Sequence, residues 1–190
     1  LFSIGLLERN NDFSPKLNNA GQQIPTYDQA VVSAMARVFT GWTYAGLSDA
    51  QYGRVDARSY APMQCHPAFH DDKPKTIFHD IVISNGNDCV KDLDQALDAL
   101  SGHANVAPFI SRQLIQRFVT SNPSPAYIAR ISNVWVNQQG NLGQVLRAVL
   151  LDSEARNPPA SNPANFGKPR EPLLRIANLW RLYEANYVAP

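Results

Sequence analysis

The stretch Cys65-His66-Pro67-Ala68-Phe69-His70-Asp71-Asp72-Lys73-Pro74-Lys75 gathers most of the metal-capable and proton-transferring side chains of this chain into one segment. His66 and His70 are four residues apart, so a helical turn starting at Pro67 would carry both imidazoles to one side, with Asp71 beside them. That set could hold a divalent metal, because a catalytic ion needs about three protein ligands and an open position for water. His66, His70 and Asp71 would be the ligands. In such a metal-assisted hydrolase Lys75 would stabilise developing negative charge.

Other readings of the same residues stay open. Cys65 and Cys89 with the two histidines would make a closed structural metal site, which needs thiolates and so competes with a disulfide. Without a metal, His70, Asp71 and Lys75 are candidates for acid–base catalysis, although no serine sits in a Gly-flanked elbow to act as nucleophile. The stronger reading is a clasp. In it Asp71 caps a turn or pairs with Lys75 or Arg37, while His70 hydrogen-bonds backbone and ties a long loop to the helices. Cys65 and Cys89 are the only cysteines. An even, sparse count in turn-rich sequence fits one disulfide, which in an oxidising compartment stabilises by about 3 kcal/mol on the chain-entropy model. Trp42, Tyr44, Tyr52 and Tyr60 form a candidate set for stacking a sugar ring, the one hint of a glycan ligand. Trp42 otherwise folds back on the core after a helix stop at Gly41.

These residues must be positioned by helices. Thr26 with Gln29 forms a capping box ahead of Tyr27, Val31, Met35 and Val38, a pattern that stops at Gly41. From Trp42 to Asn87 the periodicity dissolves into Gly, Asp, Tyr and Pro, leaving one alternating run, Ile77 to Ile83, that reads as a strand. Val90, Leu93, Leu97 and Leu100 then make a stripe ended by Gly102, and Asn105 caps a helix carrying Phe109, Ile110, Leu114 and Phe118. Ser124-Pro125 opens a helix through Tyr127, Ile128, Ile131, Val134 and Trp135, and Asn141 with Gln144 opens one through Val145, Leu146, Val149 and Leu150. Pro172 starts the last, through Leu173, Ile176, Ala177, Trp180 and Tyr183.

The expectation is a mainly α fold. It is a multi-helix bundle of about six helices, one domain over residues 1–190, containing an irregular loop region at 42–87 with room for a short strand pair. Asn157 to Pro169 reads as a surface connector. Arg112, Arg117 and Arg130 suit salt bridges on solvated faces, and Glu171, flanked by Lys168 and Arg170, suits a helix N-terminus.

With 190 residues the chain can fill one core. Its formal charge of +1, with Lys and Arg scattered, gives no footprint for a nucleic-acid backbone or an anionic membrane. No apolar run approaches the ~20 residues of a bilayer span. The opening, Leu1-Phe2-Ser3-Ile4-Gly5-Leu6-Leu7, begins inside an apolar segment and reads as part of a longer protein. Leu1, Phe2, Ile4 and Leu6 are then expected to pack on something upstream or to lie exposed.

Several pieces together resemble the bacterial family known as domain of unknown function 1800. They are Leu1-Phe2-Ser3-Ile4-Gly5, Ala36-Arg37 with Thr40-Gly41-Trp42, His70-Asp71 followed by Lys75, Phe109-Ile110 through Leu114 to Phe118-Val119, and Lys168-Pro169-Arg170-Glu171. Order and spacing fit along nearly the whole chain. The resemblance implies the C-terminal part of a longer, exported protein whose activity is not established. It also implies that a polar stretch rich in Asn, Glu and Arg precedes the segment matching Leu1 to Gly5, so a site shared with it would be incomplete here. Lys73 stands where the family favours Gly, and Phe78-His79 replaces a favoured Leu-Gly; no family role passes to His79. The functional expectation is a binding or assembly role at the cell exterior, with the 42–87 loop presented to the missing N-terminal part, another protein chain or a glycan. The alternative is the metal-assisted hydrolase.

Overall fold

A computed structural model describes residues 4–55, 60–78, 81–157, 166–169 and 171–184. Leu1, Phe2, Ser3, His79 and Arg170, and most of the connector after Asn157, lie outside the described residues. The chain divides into two compact units, Leu1–Ile110 and Ser111–Pro190. Seven α-helices and two two-stranded antiparallel sheets occur among the described residues, so the fold is mainly α.

The first unit opens with a meander that helix and strand periodicities did not reveal. Isolated antiparallel bridges join Leu7 to Pro25, Arg9 to Pro15 and Leu17 to Gln23. Its turns are closed by short polar side chains: Asp12 accepts from the Ser14 N–H (2.9 Å), and Asn18 from the N–H groups of Ala20 and Gln22 (both 2.9 Å). Asn105 fixes this segment. Its carboxamide accepts from the Arg9 N–H (2.8 Å) and donates to the carbonyls of Ile4 (2.7 Å) and Leu7 (2.8 Å). The cap expected of Asn105 is therefore a brace across nearly a hundred residues, while its backbone carbonyl receives the Phe109 N–H of α3. Ile4 is buried and Leu6 exposed.

Helix α1 (Gln29–Val38) is capped by Asp28, whose carboxylate accepts from the Val31 N–H at 2.9 Å. The cap expected at Thr26 moves two residues on. A carboxylate suits the positive end of the helix, and Thr26 is buried. Strand β1 (Trp42–Thr43) pairs with β2 (Gln64–Cys65), placing Trp42 opposite Cys65. The run read as one strand spans the end of one strand and the whole of the next: β3 (Lys75–Ile77) pairs with β4 (Ile81–Ile83), with Lys75 opposite Ile83. Its alternation belongs to two arms facing one core, with Lys75, Ile77 and Ile83 buried.

Helix α2 (Cys89–Ser101) is capped by Asp88 and ends at Gly102, the stop that its sequence indicates. Its buried face is not the expected stripe, however. Cys89, Asp92 and Ala96, three and four apart, face inward, while Val90 and Leu97 are exposed. Helix α1 packs against β3 and α2, and α2 against β4. Helix α3 (Val106–Phe118) passes through the division between the units.

In the second unit α4 (Pro125–Asn137) and α5 (Leu142–Leu151) start at Ser124 and Asn141, whose side chains accept from Tyr127 and Gln144 N–H groups as the capping patterns require. They pack through Tyr127, Ile128, Ile131, Val145 and Val149. The Tyr127 hydroxyl donates to the Val149 carbonyl at 2.5 Å. A four-residue helix, α6 (Ser153–Arg156), follows, and Arg130 grips its cap Asp152 through two bonds of 2.8 and 2.7 Å. Helix α7 (Pro172–Leu182) begins after Glu171, which pairs with Arg117. No described helix is long and apolar enough to cross a membrane.

Candidate functional site

The segment from Trp42 to Asn87 leaves α1 at Gly41 and returns to the start of α2, and residues 65–75 within it fasten it to both helices. Cys65, closing β2, is joined to Cys89, the first residue of α2, by a disulfide with Cα atoms 5.9 Å apart. Cys89 is wholly buried. Gly41 has φ of +83°, and a Cβ there would lie 3.0 Å from the His66 carbonyl oxygen, 3.0 Å from His70 Cβ and 3.2 Å from Cys89 Sγ. Only glycine satisfies both the left-handed backbone and this close approach. The Gly41 carbonyl accepts the His66 N–H (2.8 Å), and its N–H donates to the Tyr52 hydroxyl (3.2 Å).

Asp92 is the centre of the charged cluster. Its side chain is 0 % exposed, as is that of Lys75, and His70 is 1 % exposed. Oδ2 receives Lys75 Nζ at 2.5 Å and His70 Nε2 at 3.0 Å, and Oδ1 accepts from Asn87 Nδ2 at 3.0 Å. Burial pushes the Asp92 carboxyl up, but the hydrogen bonds from Lys75, Asn87 and His70 outweigh it and hold the group below its ordinary value. Lys75 Nζ also donates to the carbonyls of Asp71 and Lys73, the latter at 3.1 Å. His70 Nδ1 lies 2.9 Å from the Thr40 carbonyl. The ring therefore bridges the end of α1 to α2.

Asp71 is held from outside this cluster. Arg37 Nε and Nη2 reach its two oxygens at 2.7 and 2.9 Å, and the Lys73 N–H adds a bond of 3.0 Å. The Arg37 guanidinium first, and then the Lys73 N–H, hold the Asp71 carboxyl well below the usual carboxylate range, and Asp71 in turn raises Arg37. Thr40 completes the knot: its hydroxyl donates to the Arg37 carbonyl (2.6 Å) and accepts the Asp71 N–H (2.9 Å).

His66 has a different partner. Pro67–Phe69 forms a single 3-10 turn, not the α-helical turn expected to align the two imidazoles, and His70 follows it in extended backbone. His66 Nδ1 lies 2.5 Å from Asp49 Oδ1, while its buried Nε2 has no hydrogen-bond partner among the described residues. Tyr52 stacks on Phe69 with ring centres 4.1 Å apart and meets His66 edge-on at 5.9 Å.

The structure thus places the proposed metal ligands on three separate partners: His66 on Asp49, His70 on Asp92 and Asp71 on Arg37. Among the described residues no group of three or more His, Cys, Asp or Glu side chains is arranged to hold a metal ion. Lys75 is in the buried cluster. Of the four aromatic residues considered for stacking, Trp42, Tyr44 and Tyr52 are half-buried and only Tyr60 is exposed. Asp92 and Asn87 were missed from sequence. The available signal was the spacing of Asp92 from Cys89, which puts any carboxylate at that position on the face carrying the disulfide.

A family model described as "Protein of unknown function (DUF1800)" matches residues 1–189. No curated protein and no solved structure matches the chain.

Proposed function

The chain belongs to the DUF1800 family of proteins of unknown function, and from that premise we propose a binding or assembly role at the cell exterior, in which the loop between Trp42 and Asn87 is displayed to another protein chain. The observation that carries this reading is the way the loop divides. Its reactive groups are spent on fastening: Cys65 on Cys89, His66 on Asp49, His70 and Lys75 on Asp92, and Asp71 on Arg37.

The surface that the loop leaves open to solvent includes apolar and aromatic side chains among polar ones such as Gln51, Arg54 and Gln64. Val55 and Tyr60 are each 85 % exposed and Met63 55 %. Tyr and Met are enriched where proteins meet, and a rigid backing lowers the entropy lost on binding. Three of the four aromatic side chains suited to a sugar ring are partly enclosed, which favours a protein partner over a glycan. The disulfide supports export, since such bonds persist in oxidising compartments.

Site-specific photo-crosslinking tests the proposal. A photoreactive phenylalanine at position 60 of the full-length protein, expressed in its host, should give one discrete adduct at the cell exterior. The same group at Lys91, exposed on α2, should not. Identical adduct patterns from both positions, or none from position 60, would overturn it.

A further inference from the structure

We infer that Lys75 and Asn87 form a self-modifying pair, in which the lysine amine and the asparagine carboxamide join as an intramolecular isopeptide bond with Asp92 as the acid–base group. One buried carboxylate holds both reactants: Lys75 Nζ lies 2.5 Å from Asp92 Oδ2, and Asn87 Nδ2 donates to Oδ1 at 3.0 Å. Lys75 is 1 %, Asp92 0 % and Asn87 8 % exposed. Enclosure keeps water from competing, and holding amine and carboxamide on one group replaces a bimolecular encounter with a local one.

The remaining contacts of Lys75 suit a nucleophile. Two of its protons are held by the carbonyls of Asp71 and Lys73. When Asp92 takes the third, those two bonds persist and the nitrogen lone pair faces Asp92, whose other oxygen holds Asn87. Nζ then attacks Asn87 Cγ and forms the new C–N bond. Of the three ammonium protons, one stays on the new amide and two pass through Asp92 to Nδ2, the Cγ–Nδ2 bond breaks, and nitrogen leaves as ammonium. Asp92 ends as it began, and no oxidant or cofactor is consumed. His70 Nε2, on Oδ2 at 3.0 Å, is a positioning contact for the carboxylate.

The product is a second covalent tie. It joins the first residue of β3 to the residue before the α2 cap, closing the β3–β4 hairpin beside the Cys65–Cys89 bond.

The test is high-resolution intact mass of the full-length protein after reduction, followed by tryptic mapping. The expected result is a deficit of one ammonia, about 17 Da, carried by a branched peptide joining Lys75 to Asn87, with no cleavage after Lys75. Asn87→Ala and Asp92→Asn should each restore the full sequence mass. Because either variant could misfold, the unaltered protein decides. A mass equal to the sequence overturns the inference. So does the same deficit on a linear peptide, as a succinimide at Asn85-Gly86 would give, or a deficit of one water, about 18 Da, from a Lys75–Asp92 link.

Discussion

Replacing His70 by Leu removes both nitrogens of the ring while keeping a side chain of similar bulk in a site that is 1 % exposed. Two interactions are lost, and they differ in kind. The 3.0 Å contact of Nε2 is with the Asp92 carboxylate, and the 2.9 Å contact of Nδ1 is with the neutral Thr40 carbonyl. The first kind contributes about 1.5–3 kcal/mol and the second about 0.5–1.5 kcal/mol, so the variant should lose about 2–4.5 kcal/mol. With a urea dependence of about 2 kcal/mol per molar, the midpoint should fall by about 1–2 M. The assay is urea unfolding of the oxidised protein, followed by hydrogen-exchange mass spectrometry of peptides from Trp42 to Asn87. These peptides isolate the first unit from the second. A midpoint shift below about 0.5 M, with unchanged exchange in those peptides, would refute the reasoning.

The pH dependence follows from two depressed carboxyls. Asp71 and Asp92 both lie below the ordinary value of 3.8, so their contribution is whole above that value and fades as pH falls below it. Arg37→Gln should therefore cost stability at neutral pH, and its gap from the unaltered protein should narrow in acid titrations below that value; a gap independent of pH would contradict this. Gly41→Ala places a methyl 3.0 Å from the His66 carbonyl oxygen at a φ of +83°. It should lose more than about 1 kcal/mol in the same unfolding assay, with new exposure of the Cys65–Cys89 bond to reductant. Reducing the disulfide, whose cysteines are 24 residues apart, should lower stability by about 3 kcal/mol, measured by urea unfolding with and without reductant.

The legibility of this sequence followed the range of the interaction. Ser124 and Asn141 could be read as caps because a cap is satisfied within three residues, and the structure has both. The pairing of Asp71 with Arg37 and the seat of His70 on backbone follow the clasp reading. Asp92 escaped it. A helix stripe is read by assigning charge to solvent, and Asp92 reverses that assignment because Lys75 arrives from the loop to pair with it and His70 to contact it. Asn105 failed for a related reason: its brace to Ile4, Leu7 and Arg9 depends on a segment distant in sequence. The N-terminal meander had a local signal in Asn10-Asn11-Asp12 and Asn18-Asn19, which mark its two turns. It lacked apolar alternation.

Amide hydrogen exchange on the oxidised full-length protein tests most directly whether the loop is tied down along Cys65 to Lys75 and open at Val55 and Tyr60. His66, Asp71 and Gly86 have backbone N–H groups bonded to Gly41, Thr40 and Asp72, and their peptides should exchange slowly. Those covering Val55 and Tyr60 should exchange at once. Uniformly fast exchange from Trp42 to Asn87 would show that the loop is not fastened, and the binding role built on it would fall.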